Sequence, residues 1–346
     1  LGFPERKCLL CDNPACQCGR SRKHSIEELR KKIYGIIWEE QLQRGVAAEI
    51  SQALMEEVYT TPKPGLVDRE DTGAHTDMNC QTFQKSTEAI AEDLAAMFEA
   101  GYSWEADPKT LFPLLRERGK KTEEKMFAAT GGVNTHKGII FTIGILAAAA
   151  GISLRNYGKI ESEDVCRISL EMTKKELEQD LRKLKQSSGI THGEKIYCHL
   201  GEKGVRGLAM SGYPILCERT VPHMKQYIAN NRDQNQINVQ ILLEIIGELT
   251  DTNVISRTSE KEMRWLQTEA RAILKTGGAF LRGGFAKSAR TESDLYPEKY
   301  ESGRSCGFTC GNDFFVPHGN LDGTFEKYNI IKIYDAVIDL KMYGRS

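Results

Sequence analysis

An all-α main domain is predicted for this 346-residue chain, and three observations predict it. Apolar residues recur every three or four positions over long stretches, as they do along one face of a helix. Sustained apolar–polar alternation, the mark of a half-buried strand, is hard to find. Pro62, Pro64 and Gly101 stand where periodic stretches run out, which is where helices tolerate them. With 40% hydrophobic residues the chain can bury a sizeable core, as one large domain with or without an appendage.

Residues 1–34 are short, basic and cysteine-rich, too few to build a core of their own. The expected boundary lies near Gly35 to Gln43, giving a segment 1–38 and a main domain 39–287. In the main domain Ile50, Leu54 and Val58 mark a helix that should stop before Pro62. Ile90, Leu94, Met97 and Phe98 mark a second, ending near Gly101. Lys137 to Ala150 is apolar nearly all round and should be the central helix. Ile168, Met172, Leu177, Leu181 and Leu184 mark a long amphipathic helix, and Ile241, Leu242, Ile245, Ile246 and Leu249 another. Ser259 with Glu262 forms a capping box for a helix carrying Met263, Leu266, Ala270 and Ile273. From about Ser288 the helical period is lost, so 288–346 reads as an irregular tail.

A net charge of −1 gives no global attraction to nucleic acid or membrane, and neither is expected as a partner. The basic stretch 5–32 reads as a solvated face. No secretory signal is seen, and the longest apolar run, Gly138 to Gly151, is short of the roughly 20 residues of a membrane span. Cys80, Cys166, Cys198 and Cys217 read as reduced core residues, which suits a cytoplasmic setting.

The chemistry concentrates in a few polar stretches. In PGLVDR, Gly65 allows close backbone approach to a ligand, Asp68 can hold a hard cation, and Arg69 can pair with phosphate oxygens. An ordinary turn with a surface ion pair is the plainer reading of the same residues. In GAHTDM, His75 and Asp77 lie two apart and would point the same way on an extended loop, where His75 could serve as an acid or base. Thr76 or Asp77 could equally be a helix cap. GGVNTHKG opens the central helix, and Asn134, Thr135, His136, Lys137 and Gly138 at a helix N-terminus form a phosphate cradle or a capped start. The spacing of a Walker A loop is absent. Glu194 adds a carboxylate, Arg206 a second anion clamp, and Asp251 a third carboxylate after an apolar helix. Cys8, Cys11, Cys16 and Cys18, with His24 close by, either bind a structural zinc or form a reduced surface loop.

Taken in order, PGLVDR, GAHTDM, GGVNTHKGIIF, THGE, GVRG and DTNVISR resemble the triphosphoribosyl-dephospho-CoA synthases of the citrate lyase system, over roughly residues 45–280. Residues 6–32 resemble the end of the transferase that loads the prosthetic group onto the citrate lyase acyl carrier protein, as in fusions of the two enzymes. The resemblance implies that ATP and 3′-dephospho-CoA are substrates: the dephospho-CoA ribose 2′-hydroxyl attacks C1′ of the ATP ribose, adenine leaves, and the triphosphate stays on the transferred ribose. It makes Asp68, Asp77, Glu194 and Asp251 the metal or base candidates, with Mg²⁺ the expected ion. Arg69, Lys137 and Arg206 become the phosphate clamps, with Gly65, Asn134, Thr135 and Gly138 at the nucleotide, and His75 and His136 the proton-transfer candidates. It also implies a link to the acyl carrier protein through the transferase. A malonate decarboxylase counterpart and an inactive nucleotide- or carrier-binding homologue are the alternatives.

One departure stands out. The SPGGAADLLA-like ending of the resembled family is absent. Residues 301–310, ESGRSCGFTC, can be encoded so that reading one base later yields SPGGAADLL, so a shifted reading frame is expected there. Cys306, Cys310 and His318 are therefore not read as a metal site, and the tail is expected to pack poorly.

Overall fold

Helices make up nearly all the regular structure of the computed structural model, which describes residues 6–63, 67–70, 72, 77–184, 192–252, 255 and 259–281. Among these residues there is no strand, only an isolated antiparallel bridge between Lys7 and Pro14. The tail 288–346 lies outside the described residues.

A short α1 (Ala15–Ser21) leads into α2 (Ile26–Tyr59). Ser25 starts α2 with a complete capping box: its hydroxyl accepts from the Glu28 amide, and the Glu28 carboxylate accepts from the Ser25 amide at 2.7 Å. The helix runs unbroken through the expected boundary at residues 35–43 and ends at Tyr59, short of Pro62 as its sequence requires. Helix α3 (Cys80–Tyr102) is capped by Asn79, not by Thr76 or Asp77; the Asn79 side chain accepts from the Thr82 amide. Helices α4 (Phe112–Thr130), α5 (Lys137–Tyr157) and α6 (Ser162–Leu184) follow. Then come α7 (His192–Leu200), α8 (Gly204–Met210), a π-turn at Leu216–Thr220 and α9 (Val221–Ala229). Helices α10 (Gln234–Glu248) and α11 (Glu260–Lys275) complete the set, and Ser259 caps α11 as its spacing with Glu262 predicts.

Helix α5 is the centre. Its residues 138–140 and 142–153 are buried, so although it is long and apolar enough to cross a bilayer, its apolar surface is already covered by α3, α4, α6 and α8. The closest crossing is with α3, and glycine permits it. A Cβ at Gly101 would sit 1.9 Å from the carbonyl oxygen of Ala148, and one at Gly151 would sit 2.2 Å from that of Phe98. Backbone therefore touches backbone at both points, and no larger residue fits without moving a helix. On the far side, Val239 and Leu243 of α10 pack with Ala270 and Ile273 of α11, and the Arg271 guanidinium donates to the Gly247 carbonyl at 2.7 Å.

Two cysteine assignments change. Cys166 of α6 and Cys217 of the π-turn are joined as a disulfide rather than standing as reduced thiols, because the turn packs directly on α6. Cys198 is exposed, not in the core, since it lies on the outer face of the short α7.

Candidate active site

The end of α2 is the most polar buried corner of the described structure. Ile50, Leu54 and Val58 face the core as their spacing predicts, but Glu57 shares that face and is fully buried. Its partner is Lys63, four residues beyond the helix and also fully buried. The ammonium lies 2.8 Å from the Glu57 carboxylate and 2.7 Å from the Glu57 carbonyl. Burial pulls the Lys63 pKa down, and the Glu57 charge opposes that pull. Two charges removed from water together hold only if each satisfies the other. Asp68 completes the corner. Its carboxylate accepts from the Lys63 amide at 3.0 Å and the Glu70 amide at 2.7 Å, while its carbonyl accepts from the Cys80 thiol. Asp68 is thus a buried loop organiser with both oxygens engaged, whereas Arg69 is exposed and lies 5.1 Å from the centre of the Tyr59 ring. Gly65 and His75 lie outside the described residues.

Val58, Val67, Met78 and Phe83 form an apolar cluster that Val133 joins, and this cluster brings the second motif stretch to the first. At the mouth of α5, Asn134 accepts from the Lys137 amide at 3.2 Å, but the N-cap position falls on His136, which makes no side-chain cap bond, so neither Asn134 nor Thr135 is the cap of this helix. Lys137 is half-exposed and paired with Glu123 at 3.1 Å. His136 is fully buried against the edge of Phe83. Thr135 donates to the Ser86 hydroxyl at 2.7 Å, which leaves the Ser86 hydrogen for Nδ1 of His136, 2.6 Å away. That chain puts the imidazole proton on Nε2, which finds no partner among the described residues. Burial drives the His136 pKa down to about 3, so the ring is neutral at ordinary pH.

The remaining motif residues meet further along the chain. Arg206 of α8 contacts Glu194 of α7 at 3.3 Å. A Cβ on Gly204, at the start of α8, would lie 3.0 Å from the Thr252 hydroxyl, so α8 opens beside Asp251, itself buried. Helix α10 connects the two regions. Its Asn235 and Asn238 hold the Thr61 backbone and the Thr60 hydroxyl, and its other end leads into Asp251. Asp77 is exposed.

Sequence reasoning passed over Glu57, Lys63 and Ser86, and also a buried cluster on α10. There Glu244 accepts from Tyr227 at 2.8 Å and meets Nδ1 of His223 at 2.8 Å. The signal for Glu57 was present: it falls seven residues after Ile50, on the apolar stripe itself. Glu244 falls seven after Ile237 in the same way.

Asp68, Asp77, Glu194 and Asp251 do not gather into a closed ligand set among the described residues. The group of three or more candidate ligands found there is Cys8, Cys11, Cys18 and His24, a Cys/His cluster able to hold a metal ion. Cys16 is exposed and stands outside it, a correction to the four-cysteine reading, because α1 turns that side chain to solvent while His24 closes the group from the far side.

The family described as ATP:dephospho-CoA triphosphoribosyl transferase (CitG) matches residues 43–303, and that described as apo-citrate lyase phosphoribosyl-dephospho-CoA transferase (CitX) matches residues 1–40. The chain is 33% identical over 287 residues to a 2-(5''-triphosphoribosyl)-3'-dephosphocoenzyme-A synthase of Escherichia fergusonii, covering 82% of this chain and 93% of that relative. It is 37% identical over 228 residues to a probable synthase of the same name from Citrobacter koseri, covering 66% of this chain and 75% of that relative. No solved structure matches it. The chain therefore belongs to the ATP:dephospho-CoA triphosphoribosyl transferase family and is a transferase that places the triphosphoribosyl group on dephospho-CoA for the citrate lyase prosthetic group.

Proposed function

We propose that the 2′-hydroxyl of the 3′-dephospho-CoA ribose attacks C1′ of the ATP ribose in this chain, breaking the glycosidic bond so that adenine departs with its proton and the triphosphate travels with the ribose. Positive charge develops at C1′ as in other glycosyl transfers, so the site must hold the polyanion still and move one proton from hydroxyl to adenine. The observation that supports this reading most is the apolar cluster of Val58, Val67, Met78 and Phe83 that Val133 joins, since it draws together the segments that carry Asp68, Arg69 and the approach to α5.

Roles follow from placement. The start of α5, the positive end of its dipole, and the half-exposed Lys137 suit the triphosphate, with Asn134, Thr135 and Gly138 at the same helix start. Arg69 and Arg206 add clamps, and Lys137 and Arg206 exchange their carboxylate partners for phosphate when the nucleotide binds. Gly65 lets backbone approach the nucleotide, and His75 is the proton carrier. His136, neutral and buried, orients the α3–α5 junction instead. Asp68, Asp77, Glu194 and Asp251 are hard oxygen donors of the kind Mg²⁺ takes, and Mg²⁺ characteristically uses one or two carboxylates together with substrate phosphates, so no closed protein cage is needed. Mg²⁺ would neutralise the triphosphate; Glu194 and Asp77 remain the candidate bases.

Residues 1–38 are then the end of a transferase-like module leading into the domain 39–287, and the tie to the acyl carrier protein runs through that transferase. ATP supply, which the family's reaction needs, argues for the cytoplasm. For residues 288–346 a shifted reading frame is proposed, which the nucleotide sequence decides. If no frame yields SPGGAADLL at residues 301–310, that idea fails.

The test is adenine release. The purified chain is incubated with ATP, Mg²⁺ and 3′-dephospho-CoA, and adenine is followed by chromatography with coenzyme A as control. Adenine formed only with dephospho-CoA supports the reaction; free phosphate without adenine would point to a hydrolase, and no turnover by the folded chain to a binding homologue.

A further inference from the structure

The segment before α2 carries a feature the transfer reaction does not use. Cys8 and Cys11 lie on the loop that the Lys7–Pro14 bridge closes, Cys18 lies in α1 and is buried, and His24 lies just before the Ser25 cap of α2. Four separate points of the chain thus converge. Their ligand atoms all fall within 4.8 Å of one another. The Cys11 and Cys18 sulfurs are 3.4 Å apart, and Nε2 of His24 is 3.2 Å from the Cys11 sulfur.

These spacings can be compared with the edges of a metal tetrahedron. Zinc bonds of about 2.3 Å to sulfur and about 2.0 Å to nitrogen put neighbouring ligands roughly 3.5–3.8 Å apart in tetrahedral geometry. The two closest contacts are within a few tenths of an ångström of those edges. The surroundings of Cys8 and Cys11 suit thiolates. The Leu10 amide approaches the Cys8 sulfur at 3.5 Å, and the Lys23 ammonium approaches the Cys11 sulfur at 3.8 Å. Both would offset negative charge on sulfur, as outer-shell donors do around a metal-bound thiolate. Hard ions are a poor match for three sulfurs and an imidazole, whereas zinc takes this ligand set routinely.

We propose that Cys8, Cys11, Cys18 and His24 bind one zinc ion, and that the ion pins residues 8–18 to the N-terminal end of α2. The physical need is plain. Residues 6–24 bury a single cysteine and no larger side chain, so apolar packing alone cannot hold their fold. A closed four-ligand site supplies what packing does not, and metal binding there is coupled to folding. Its location is also informative, since the match to the apo-citrate lyase phosphoribosyl-dephospho-CoA transferase family covers residues 1–40 and the transferase domain begins at 43. The ion would hold residues 8–18 against the start of α2, the helix that runs on into the second segment.

The experiment uses the full chain, purified under reducing conditions with no affinity histidines. Zinc is measured by elemental analysis and by release on titration with a thiol-blocking mercurial, before and after incubation with zinc. About one zinc per chain is expected, as for a closed structural site. Cys11→Ser and His24→Ala should lose most of it, whereas Cys16→Ser should keep all of it, since Cys16 is exposed and is not one of the four converging ligands. Reconstitution with Co²⁺ should give the intense visible bands of a tetrahedral thiolate site in the unmodified chain and in Cys16→Ser. Far-ultraviolet dichroism of each variant separates lost ligation from lost folding. An unmodified chain that takes up neither zinc nor cobalt when reduced overturns the proposal, and so does Cys16→Ser losing metal as fully as Cys11→Ser. A Cys11–Cys18 disulfide in the chain as isolated, persisting where other thiols are reduced, would overturn it as well.

Discussion

The α3–α5 crossing and the corner at the end of α2 are both fully buried, yet they are held by opposite means. At the crossing, Gly101 and Gly151 bring backbones into contact, and Ile90, Leu94, Ile143 and Ile152 fill the space around them. At the corner, a Glu57–Lys63 pair and the Asp68 carboxylate sit in an environment as dry as the crossing. Burial at the crossing is favourable for each of these apolar side chains on its own. At the corner it is favourable only while every partner is present. The difference teaches where this protein is specific: the crossing specifies packing, and the corner specifies how Lys63 and Asp68 sit against the end of α2.

The largest expected effect tests that contrast directly. Lys63→Met removes the ammonium that the Glu57 carboxylate faces at 2.8 Å and breaks a buried ion pair, which should destabilise the protein by about 3–5 kcal/mol. Adding Glu57→Leu should restore most of the loss, because an apolar pair of similar volume needs no partner. Guanidinium unfolding followed by helical dichroism reads both. A double variant no more stable than Lys63→Met would show that the corner depends on something other than charge satisfaction. At the crossing, Gly151→Ala should cost about 1–3 kcal/mol through overpacking, and no second substitution at the Phe98 side chain should rescue it, since the obstacle is backbone.

The same contrast explains what could be read from the sequence. The crossing was legible: Lys137 to Ala150 is apolar all round, and Ile90, Leu94, Met97 and Phe98 keep strict helical spacing. The capping of α11 by Ser259 was legible for the same local reason. Helix α4 was not, because Gly119 and Thr122 stand in its inward stripe between Leu115 and Met126 and interrupt the apolar period. The motif residues were legible as chemistry, but their partners were not. Glu123 beneath Lys137, Ser86 beneath His136 and Lys63 beneath Glu57 are set by tertiary packing across up to fifty residues. The Asn79 cap was passed over for Thr76 and Asp77, because residues able to cap a helix stand at all three positions within four residues and only the fold chooses.

A third effect sharpens the comparison with pH. His136 belongs to the apolar side of the contrast, since burial holds its pKa near 3 while the unfolded chain would have the ordinary value of about 6.5. Its folded pKa is depressed, so the unfolded state binds the proton first as pH falls. Stability linked to this group is intact above about pH 6.5 and declines by at most about 1.4 kcal/mol per pH unit as pH drops toward 3. The comparison is between the unmodified chain and His136→Asn in unfolding midpoints from pH 7 to pH 5. The unmodified chain should lose more stability over that interval. Equal slopes would mean that His136 is solvated and protonated like any surface histidine.

The smallest stability effect carries the sharpest distinction. Glu194 and Arg206 form a pair that is neither dry nor fully exposed, with the Arg206 side chain 36% exposed. A partly solvated pair contributes under about 1 kcal/mol, so Arg206→Met should unfold almost where the unmodified chain does. If Arg206 moves onto the triphosphate during reaction, adenine release should fall by roughly a hundredfold, the scale of losing one group aimed at transition-state charge. Lys137→Met should behave alike, since Lys137 too is half-exposed and held by a single carboxylate. Lys63→Met must lose activity and stability together, whereas these two should separate them. Should Arg206→Met keep full turnover while losing stability, the α7–α8 pair would belong with the Glu57–Lys63 corner as architecture, and the phosphate clamp would rest on Arg69 and the mouth of α5.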